Sequence, residues 1–402
     1  MKIAYVCQSF PPMVSGAALV IQRLAKGIAD RGHSVMVLTS SDLGMAYTEE
    51  IGEIKIIRMV SYRNPLRVDQ SFVLWSHDEI FQSLVQFQPD ILHTHDPLNL
   101  GVSAIRAAQR MSTLSVVTIH QLPWFITTYM PLPIQVKIVI EKSIWQYSKW
   151  FFKQCDALIT PSKMIADIIW EHTCFLPQVI SNGVDLDLFS PIATYPHESR
   201  ELCKKYHLCP DKPVILYVGR IDPDKNVDLV VQAASKVMKA VEAQLLIVGD
   251  GTQKDELIQL SKSLDIYQNC CFPGFISKYG DLPGIYRLAS VFVTASEIEI
   301  QSSVVMEAAS SGLPVITVNA SSMPEFVLDQ ESGYLLPPGD IKKLADRMVS
   351  LIKNPSKAKK MGLAARRVAE LHSNRRFIQE HEQLYDSAVQ FHRTRFTEKI
   401  LV

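Results

Sequence analysis

Short apolar runs alternate with segments of helical periodicity along most of the chain. In the first half, the apolar runs that predict buried strands cover residues 2–7, 34–40, 54–59, 90–93, 115–119 and 157–160. Between them, apolar positions recur with helical spacing at 17–30, around 80–87 and around 101–110. Strands that alternate with helices in this order form an open parallel sheet with helices on both faces.

The same alternation begins again in the second half. Predicted strands there cover 214–218, 244–248, 270–272, 291–294, 315–318 and 333–336, and a long helical pattern runs from 374 to 400. The fold class is therefore α/β, with doubly wound, Rossmann-like domains at 1–191 and 192–373 and a C-terminal helix, 374–402, that crosses back to the first domain. Such sheets bind ligands beyond the carboxyl ends of their strands, so we expect the two domains to face a central cleft.

Composition limits the kinds of partner. A chain of 402 residues is long enough for two hydrophobic cores. Its 41 basic and 41 acidic residues give no net positive charge that would attract nucleic acid. The seven cysteines are scattered without metal-ligand spacing, which is typical of a reducing compartment and argues against a zinc site. No apolar run is long enough for a membrane span or a signal peptide. We expect a cytoplasmic protein, or one that lies peripherally on the cytoplasmic face of a membrane.

A glycine precedes the first helix of the first domain. Ser15 and Gly16 lie where helix-start amides are available to a phosphate, and the alternative is a loop glycine chosen only for its backbone angles. The later segment LLIVGDG, 245–251, contains Gly-x-Gly without the spacing of a dinucleotide fingerprint. That absence argues against a nicotinamide enzyme.

Basic residues follow the first strand of the second domain. The strand ends at Gly219, Arg220 follows at once, and Lys225 comes after the turn 222–224. A guanidinium fork and an ammonium group at the carboxyl end of a strand suit a diphosphate. The alternative is that both cations are solvated surface residues.

Two glutamates flank a run of small and polar residues after the strand at 291–294. Glu299 falls in the predicted loop and Glu307 in the helix that follows. The residues that open this helix or precede it are Ile300, Gln301, Ser302 and Ser303. Small residues let a ligand approach the backbone, and carboxylates accept hydrogen bonds from a polyhydroxy ligand such as ribose or a hexose. The alternative is a surface acid and an ordinary helical glutamate.

Three histidines lie near the carboxyl ends of first-domain strands. They are His93 and His95 in ILHTHDP and His120 in VTIH. No carboxylate spacing accompanies them, so hydrogen bonding to a sugar suits them better than metal binding. For His93 we expect a structural role.

The ordered motifs resemble a family over nearly the entire chain: the retaining, nucleotide-sugar-dependent glycosyltransferases of family 4, which have the GT-B fold. The matching segments include FPPMVSGA, DILHTHDP, VISNGVDLDLF, ILYVGRIDPDKNVD, the Glu-x7-Glu stretch and SGYLLPPGD. The resemblance implies that the first domain binds an acceptor and the second a nucleotide sugar. It further implies that the sugar is transferred with its anomeric configuration kept.

The resemblance also implies roles for individual residues. The Gly16 loop lies near the phosphates, His120 contacts the transferred sugar, Arg220 and Lys225 hold the diphosphate, Glu299 binds sugar hydroxyls and Glu307 binds the ribose. Two cations and helix-start amides then stabilise the leaving group, and the acceptor hydroxyl passes its proton to a phosphate oxygen. This mechanism requires no protein base, cofactor or metal. Serines stand at several loop positions where the family often has glycine, which leaves the identity of the sugar open.

The segment 124–153 suggests the acceptor. A helical wheel places a basic stripe of Lys142, Gln146, Lys149 and Lys153 opposite Val136, Ile140, Ile144, Tyr147 and Phe151, with Trp145 and Trp150 at the flanks and Trp124 upstream. A basic amphipathic helix with aromatic edges is typical of a segment that lies on an anionic membrane. The alternative is a core helix with solvated lysines. Gln301 resembles a feature of some diacylglycerol-glycosylating relatives, which favours a lipid acceptor.

The expected function is that of a hexosyltransferase, with UDP-glucose as the favoured donor and a membrane lipid such as diacylglycerol as the acceptor. One alternative is a GDP-mannose- or UDP-sugar-dependent transferase that acts on a polysaccharide or a lipid-linked oligosaccharide. Another is an inactive nucleotide-sugar-binding protein. A nucleotide-sugar epimerase would share the architecture, whereas a phosphorylase would need a pyridoxal-binding lysine context that the sequence lacks.

Overall fold

A computed structural model gives the fold of the chain. It describes residues 1–400 except 14, 64–70, 75–76, 128–129, 131 and 196. Parts of the predicted 124–153 segment and the last two residues of the predicted 374–402 helix lie outside the described residues. The chain forms two compact units, Met1–Gly183 with Arg375–Val402 and Val184–Asn374.

The first unit is built on a sheet of eight strands, with a separate pair of short strands. Its strands are β1 (Lys2–Cys7), β2 (Ser34–Ser40), β3 (Tyr47–Ile51), β4 (Ile54–Met59), β5 (Tyr62–Arg63), β6 (Ser71–Phe72), β7 (Ile91–Thr94), β8 (Leu114–Thr118), β9 (Ala157–Thr160) and β10 (Gln178–Val179). The order in the large sheet is β10-β9-β8-β7-β1-β2-β4-β3, and every neighbouring pair is parallel except β3 with β4.

Helices connect the parallel strands of this unit. They are α1 (Gly16–Ala29), α2 (His77–Phe87), α3 (Asn99–Met111), α4 (Pro123–Thr127), α5 (Ile134–Phe152) and α6 (Lys163–Thr173). Helix α1 begins where the Ser15 hydroxyl accepts a hydrogen bond from the Ala18 amide at 3.1 Å. After α1 the chain turns at Gly32, whose φ of +84° a glycine adopts without strain, and enters β2.

The second unit contains a six-stranded sheet in which every neighbouring pair is parallel. Its strands are β11 (Val214–Val218), β12 (Gln244–Val248), β13 (Cys270–Gly274), β14 (Val291–Val293), β15 (Val315–Val318) and β16 (Gly333–Leu336). Their order is β13-β12-β11-β14-β15-β16, the doubly wound order of a Rossmann sheet. The prediction of two Rossmann-like α/β domains is confirmed.

Helices of the second unit cover both faces of this sheet. They are α7 (Glu198–Lys205), α8 (Val227–Met238), α9 (Lys254–Ser263), α10 (Leu282–Leu288), α11 (Ser303–Ser310), α12 (Met323–Phe326), α13 (Ile341–Lys353) and α14 (Pro355–Glu370). The last helix, α15 (Asn374–Ile400), starts at the end of this unit and then joins the first. There its Phe377, Leu384 and Tyr385 are buried in the core with Tyr5 of β1.

The structure places the first boundary between Gly183 and Val184 rather than at the predicted 191–192. Val184 and Phe189 are buried in the core of the second unit, and the Val184 amide donates to the His372 carbonyl at 2.8 Å. The apolar residues of VISNGVDLDLF therefore pack with the second sheet. The predicted boundary therefore lies several residues after the point at which the chain joins the second unit.

Candidate functional site

The strand order of the second sheet reverses between β11 and β14. At such a switch point, the loops beyond the carboxyl ends of the two strands diverge and leave space for a ligand. The loop after β11 carries Gly219, Arg220 and Lys225, and the loop after β14 carries Glu299. The fold therefore brings four of the predicted site residues from two distant segments to one edge of the sheet.

Arg220 is half exposed and binds two carboxylates of its own loop. One guanidinium nitrogen donates to Asp222, and another lies 2.9 Å from Oδ2 of Asp224. Its side chain is 51% exposed, so water screens its ion pair with Asp222, whereas the Asp224 side chain of the second pair is only 6% exposed. Arg220 is thus held in place without being buried.

Lys225 is more enclosed than Arg220. Its Nζ lies 2.7 Å from Oε1 of Glu299 and 3.5 Å from Oδ2 of Asp224, and its side chain is 15% exposed. Burial favours the neutral amine, but the charges of Glu299 and Asp224 outweigh burial and raise the pKa of Lys225 above its usual value. Lys225 is therefore an ammonium ion at neutral pH.

Two carboxylates at this edge were not predicted as site residues. Asp222 and Asp224 belong to the turn that the sequence identifies between Arg220 and Lys225. Burial favours the protonated form of Asp222, yet hydrogen bonds from Thr252 and the charge of Arg220 outweigh it and lower its pKa. The two predicted cations therefore lie among three carboxylates, those of Asp222, Asp224 and Glu299. Acid residues next to the Arg and Lys in the sequence are the signal that could have revealed this arrangement.

Glycines bring two strand-end loops into close contact. A Cβ at Gly249 would lie 1.8 Å from the Gly219 carbonyl oxygen, and a Cβ at Gly251 would lie 2.3 Å from the Ile221 carbonyl oxygen. Side chains at either position would force the loop after β12 away from the loop after β11. The Gly-x-Gly of LLIVGDG thus supports the loop that carries Arg220.

Helix α11 begins beside Glu299. The residues before it, Ile300, Gln301 and Ser302, are buried, and Ser303 and Glu307 are partly buried. Glu307 accepts a hydrogen bond at 3.0 Å from the hydroxyl of Tyr286, a fully buried side chain. The side chain of Ser302, the N-cap residue of α11, makes no capping hydrogen bond to the first amides of the helix. The start of α11 therefore offers backbone N–H donors, and the next turn offers the Glu307 carboxylate as an acceptor.

In the first unit, Gly16 opens α1. A Cβ added to Gly16 would meet no atom within 4 Å, and its φ is not positive. Neither packing nor backbone geometry within the described chain therefore requires glycine at this position. The predicted role of Gly16 near phosphates stays a prediction.

The three predicted histidines lie together in the first unit. His93 is fully buried and hydrogen-bonded to the Tyr385 hydroxyl at 2.6 Å and to the Thr118 hydroxyl at 2.7 Å, as expected of a structural residue. His95 is also buried, and its Nδ1 lies 2.9 Å from Nε2 of the partly exposed His120. The sequence predicted positions near the carboxyl ends of strands for these histidines, but not the bond between His95 and His120.

Burial keeps these rings neutral. It lowers the pKa of His93 and of His95 well below the usual value, with neighbouring histidines adding to the effect. Burial, together with the charge of His381, lowers the pKa of His120 to about 4. His120 is consequently an uncharged hydrogen-bonding group at neutral pH.

Helix α5 presents the predicted basic stripe to solvent. Lys142, Lys149 and Lys153 are exposed, and Trp150 is 43% exposed. Trp145, predicted at a flank of the basic stripe and as a membrane-contacting residue, is only 7% exposed and therefore does not present its ring to a surface. The reason is tertiary packing, because the Trp145 ring stacks on His172 of α6 with 4.3 Å between centroids.

The other aromatic and apolar residues of this region differ in exposure. Trp124 is partly buried and its ring centroid lies 6.4 Å from that of Trp145. Val136, predicted on the apolar face, is 42% exposed, and Val139 beside the basic stripe is 63% exposed. The exposed face of α5 therefore combines lysines with apolar side chains.

Two negative findings concern the described residues alone. None of their helices has the length and apolar character needed to cross a membrane. Among the same residues, no group of three or more His, Cys, Asp or Glu side chains is arranged to hold a metal ion.

Family models match most of the chain. The model of Glycosyltransferase Family 4 matches residues 14–188, and the model of Glycosyl transferases group 1 matches residues 199–368. The two matches divide close to the boundary between the two units.

Curated relatives align with most of this chain. The chain is 28% identical to the sulfoquinovosyl transferase SQD2 of Arabidopsis thaliana, over 89% of this chain and 68% of the relative. It is 26% identical to an alpha-monoglucosyldiacylglycerol synthase of Streptococcus pneumoniae, over 83% and 75%. It is 27% identical to a GDP-mannose-dependent alpha-mannosyltransferase of Mycobacterium tuberculosis, over 91% of each.

Solved structures share the fold. A sucrose-phosphate synthase from Thermosynechococcus elongatus superimposes with a TM-score of 0.78 at 22% identity, covering 96% of this chain and 98% of that one. Anabaena HepE in complex with UDP-glucose superimposes with a TM-score of 0.74 at 19% identity, covering 96% and 100%.

Proposed function

Because this chain belongs to the family 4 glycosyltransferases of the GT-B fold, we propose that it transfers a hexose from a nucleoside diphosphate sugar to a hydroxyl group of a membrane lipid. The favoured donor is UDP-glucose and the favoured acceptor is diacylglycerol. The sugar keeps its anomeric configuration.

One observation carries the proposal: Arg220 and the protonated Lys225 lie together at the switch point of the second sheet. A diphosphate bound there receives a two-pronged contact from the guanidinium group and a point charge from the ammonium group. Both cations interact more strongly with the diphosphate as its bond to the sugar breaks, because negative charge then develops on it.

Binding of a diphosphate requires Arg220 to share or release its carboxylates. Water screens the ion pair between Arg220 and Asp222, and a screened pair is worth about 0–1 kcal/mol. Asp224 is only 6% exposed, but Lys225 Nζ, at 3.5 Å, stays beside it as a cation when Arg220 turns to phosphate oxygens. Lys225 is held more tightly, because its pair with Glu299 is largely shielded from water. We therefore assign Arg220 as the cation that moves to the donor and Lys225 as the fixed one.

The remaining residues contact the sugar and the nucleoside in this proposal. Glu299 and His120 accept or donate hydrogen bonds at the hexose hydroxyls, and Glu307 accepts from the ribose. The acceptor hydroxyl attacks on the face that the diphosphate leaves and gives its proton to a phosphate oxygen, so no protein base takes part. The cations and the α11 amides supply the charge stabilisation that a metal supplies in other transferases. Addition of EDTA should then leave the rate unchanged.

Support for a lipid acceptor comes from one relative and from α5. One of the three relatives described above is named as an alpha-monoglucosyldiacylglycerol synthase. The exposed face of α5 carries Lys142, Lys149 and Lys153 beside the apolar Val139 and Trp150. Such a face suits an anionic lipid surface, which would bring the acceptor to the protein.

A second donor has comparable support. The mannosyltransferase relative is named as GDP-mannose-dependent, and its 27% identity to this chain is close to the 28% and 26% of the other two relatives. The cation pair serves the diphosphate of either donor, so the base and the sugar must be distinguished by experiment.

The test is incubation of the full chain with UDP-glucose, other UDP-sugars and GDP-mannose, with and without vesicles that contain diacylglycerol. Products are identified by mass and their anomeric configuration by NMR. The proposal predicts an α-linked hexosyl lipid and release of UDP. Conversion of a sugar nucleotide without an acceptor would indicate an epimerase, and absence of any product with every donor would indicate an inactive binding protein.

A further inference from the structure

His95 lies between two other histidines and contacts both. Its ring stacks on His93 with 4.2 Å between centroids, and its Nδ1 is hydrogen-bonded to Nε2 of His120 at 2.9 Å. The described chain offers no hydrogen-bond partner to the buried Nε2 of His95. His95 is therefore a buried imidazole whose one polar contact is His120.

The unpaired nitrogen determines where the proton of His95 lies. A neutral imidazole carries one N–H and one lone pair. A buried N–H without a partner is rarer, and costs more, than a buried acceptor without one. The proton of His95 is therefore on Nδ1, and Nδ1–H donates to Nε2 of His120.

This direction fixes the tautomer of His120. Because Nε2 of His120 accepts, the proton of that neutral ring must be on Nδ1. His120 is partly exposed, and its Nδ1 has no hydrogen-bond partner in the described part of the chain. Nδ1–H is thus the group that His120 offers to a ligand.

The surroundings hold His95 in one orientation. His93, on which it stacks, is fixed by hydrogen bonds to Tyr385 of α15 and Thr118 of β8. The backbone amide of His95 donates to the Val6 carbonyl of β1 at 2.8 Å. The stack fixes the plane of the His95 ring, and within that plane the hydrogen bond to His120 favours the orientation that places Nδ1 beside that ring.

We propose that His95 is a positioning residue that keeps His120 in the Nδ1–H tautomer, so that His120 donates a hydrogen bond to a hydroxyl of the transferred sugar. The sugar contact rests on the proposed function. The tautomer does not, because it follows from the contacts between the two rings alone.

NMR measures the tautomer without any substrate. In the full chain labelled with 15N-histidine, correlations between ring protons and ring nitrogens distinguish a protonated from an unprotonated nitrogen, and a His120→Gln spectrum identifies the signals of that ring. The proposal predicts protonated Nδ1 and unprotonated Nε2 for His120. Protonated Nε2 in His120 would overturn it, whatever activity the protein has.

Two substitutions of His95 separate the hydrogen bond from the packing. His95→Phe keeps a flat ring against His93 but removes the donor, whereas His95→Asn loses the ring and places an amide N–H near the position of Nδ1. With UDP-glucose as the donor, we expect His95→Phe to lower kcat/KM about tenfold, the size of one hydrogen bond. We expect His95→Asn to recover most of that loss.

The outcomes distinguish failure of this proposal from failure of the proposed function. Equal kcat/KM for His95→Phe and the parent protein, or an Asn variant no better than the Phe variant, would contradict the positioning role. If the parent protein transfers no sugar from UDP-glucose, the proposed function fails while the NMR result still decides the tautomer.

Discussion

The ammonium nitrogen of Lys225 lies 2.7 Å from a carboxylate oxygen of Glu299 and joins the loops that follow β11 and β14. The two side chains are 15% and 16% exposed, so water screens their interaction only in part. This pair connects the two loops at the switch point, together with a hydrogen bond of 3.2 Å from the Asn226 side-chain amide to the Ala295 carbonyl. It also keeps the cation charged before a donor arrives.

Breaking this pair should destabilise the second unit. Lys225→Met leaves Glu299 without its cation partner and Asp224 with Arg220 alone, and Glu299→Gln leaves Lys225 with a weaker partner, so each should cost about 1–3 kcal/mol of unfolding free energy in urea. The double variant should lose less than the sum, because the second substitution removes an already broken contact.

Lys163→Met is the matched control, since Lys163 forms an ion pair with Asp167 in which the side chains are 74% and 52% exposed. Its unfolding free energy should stay within about 0.5 kcal/mol of the parent value. Strict additivity of the Lys225 and Glu299 substitutions would show that the pair does not connect the loops.

Substitution by alanine should destabilise the protein at Gly249 but not at Gly16. Gly249→Ala places a methyl group 1.8 Å from the Gly219 carbonyl oxygen and should lower the melting temperature and the activity together. Gly16→Ala meets no atom within 4 Å and sits at a helix start, so the melting temperature should stay unchanged. If Gly16 lies against the donor phosphates, KM for the nucleotide sugar should rise in this variant. An unchanged KM would show that Gly16 does not contact the donor.

Much of the fold could be predicted from the sequence because the strands of parallel sheets are continuous apolar runs. β11, β12, β15 and β16 begin and end at the predicted residues. Strand β3, with the sequence YTEEI, was missed because it is a largely exposed, antiparallel edge strand without an apolar run.

The site was predicted less completely, since tertiary contacts decide it. The positions of Arg220, Lys225 and Glu299 follow from strand ends, but their pairing depends on which strands are neighbours in the sheet. Similarly, the wheel of α5 identified the lysines correctly as one face, whereas the burial of Trp145 depends on α6. The bond between His95 and His120 required the register of β7 and β8.

The histidine cluster should make the first unit sensitive to acid. Burial lowers the pKa of His381 and of His120 to about 4. Histidines of an unfolded chain have a pKa of about 6.5. Below that pH the unfolded chain binds more protons than the folded chain, so the unfolding free energy should fall as pH decreases from about 6.5 towards 4.

Asp96 opposes this trend. Burial raises its pKa to about 6, so the folded chain takes up one proton at a higher pH than the unfolded chain does. One carboxylate offsets about one histidine, and His93, His95, His120 and His381 outnumber it. The net loss with falling pH should therefore remain.

His381→Phe removes one of the titrating rings. The pH slope of the unfolding free energy between about pH 6 and 5 should then decrease by up to about 1.4 kcal/mol per pH unit. His197→Gln, at an exposed position, should leave the slope as it is. A His381→Phe slope equal to that of the parent protein would contradict the burial argument.

The basic face of α5 should determine membrane binding. The double variant Lys142→Glu and Lys149→Glu reverses two exposed charges, each worth about 1 kcal/mol near an anionic surface, so affinity for vesicles with phosphatidylglycerol should fall more than tenfold. Lys359→Glu with Lys360→Glu, on exposed positions of α14, is the matched control. Equal sedimentation of both double variants with these vesicles would show that the lysines of α5 do not contribute to membrane binding.

Turnover depends on Arg220 if the proposed mechanism holds. Arg220→Ala should lower kcat about 100-fold, the scale of losing a charge partner of the transition state. The fold should persist, since the side chain is half exposed. Arg376→Ala, which removes an arginine 57% exposed and paired with Glu380, is the control and should keep normal turnover.

The most direct test of the diphosphate site is calorimetric titration of the parent protein and of Arg220→Ala with UDP, GDP and their nucleosides. The account predicts that UDP or GDP binds at least tenfold more tightly than its nucleoside, and that Arg220→Ala removes most of this difference without weakening the nucleoside. Equal affinity for nucleotide and nucleoside in the parent protein, or an unchanged difference in Arg220→Ala, would contradict it.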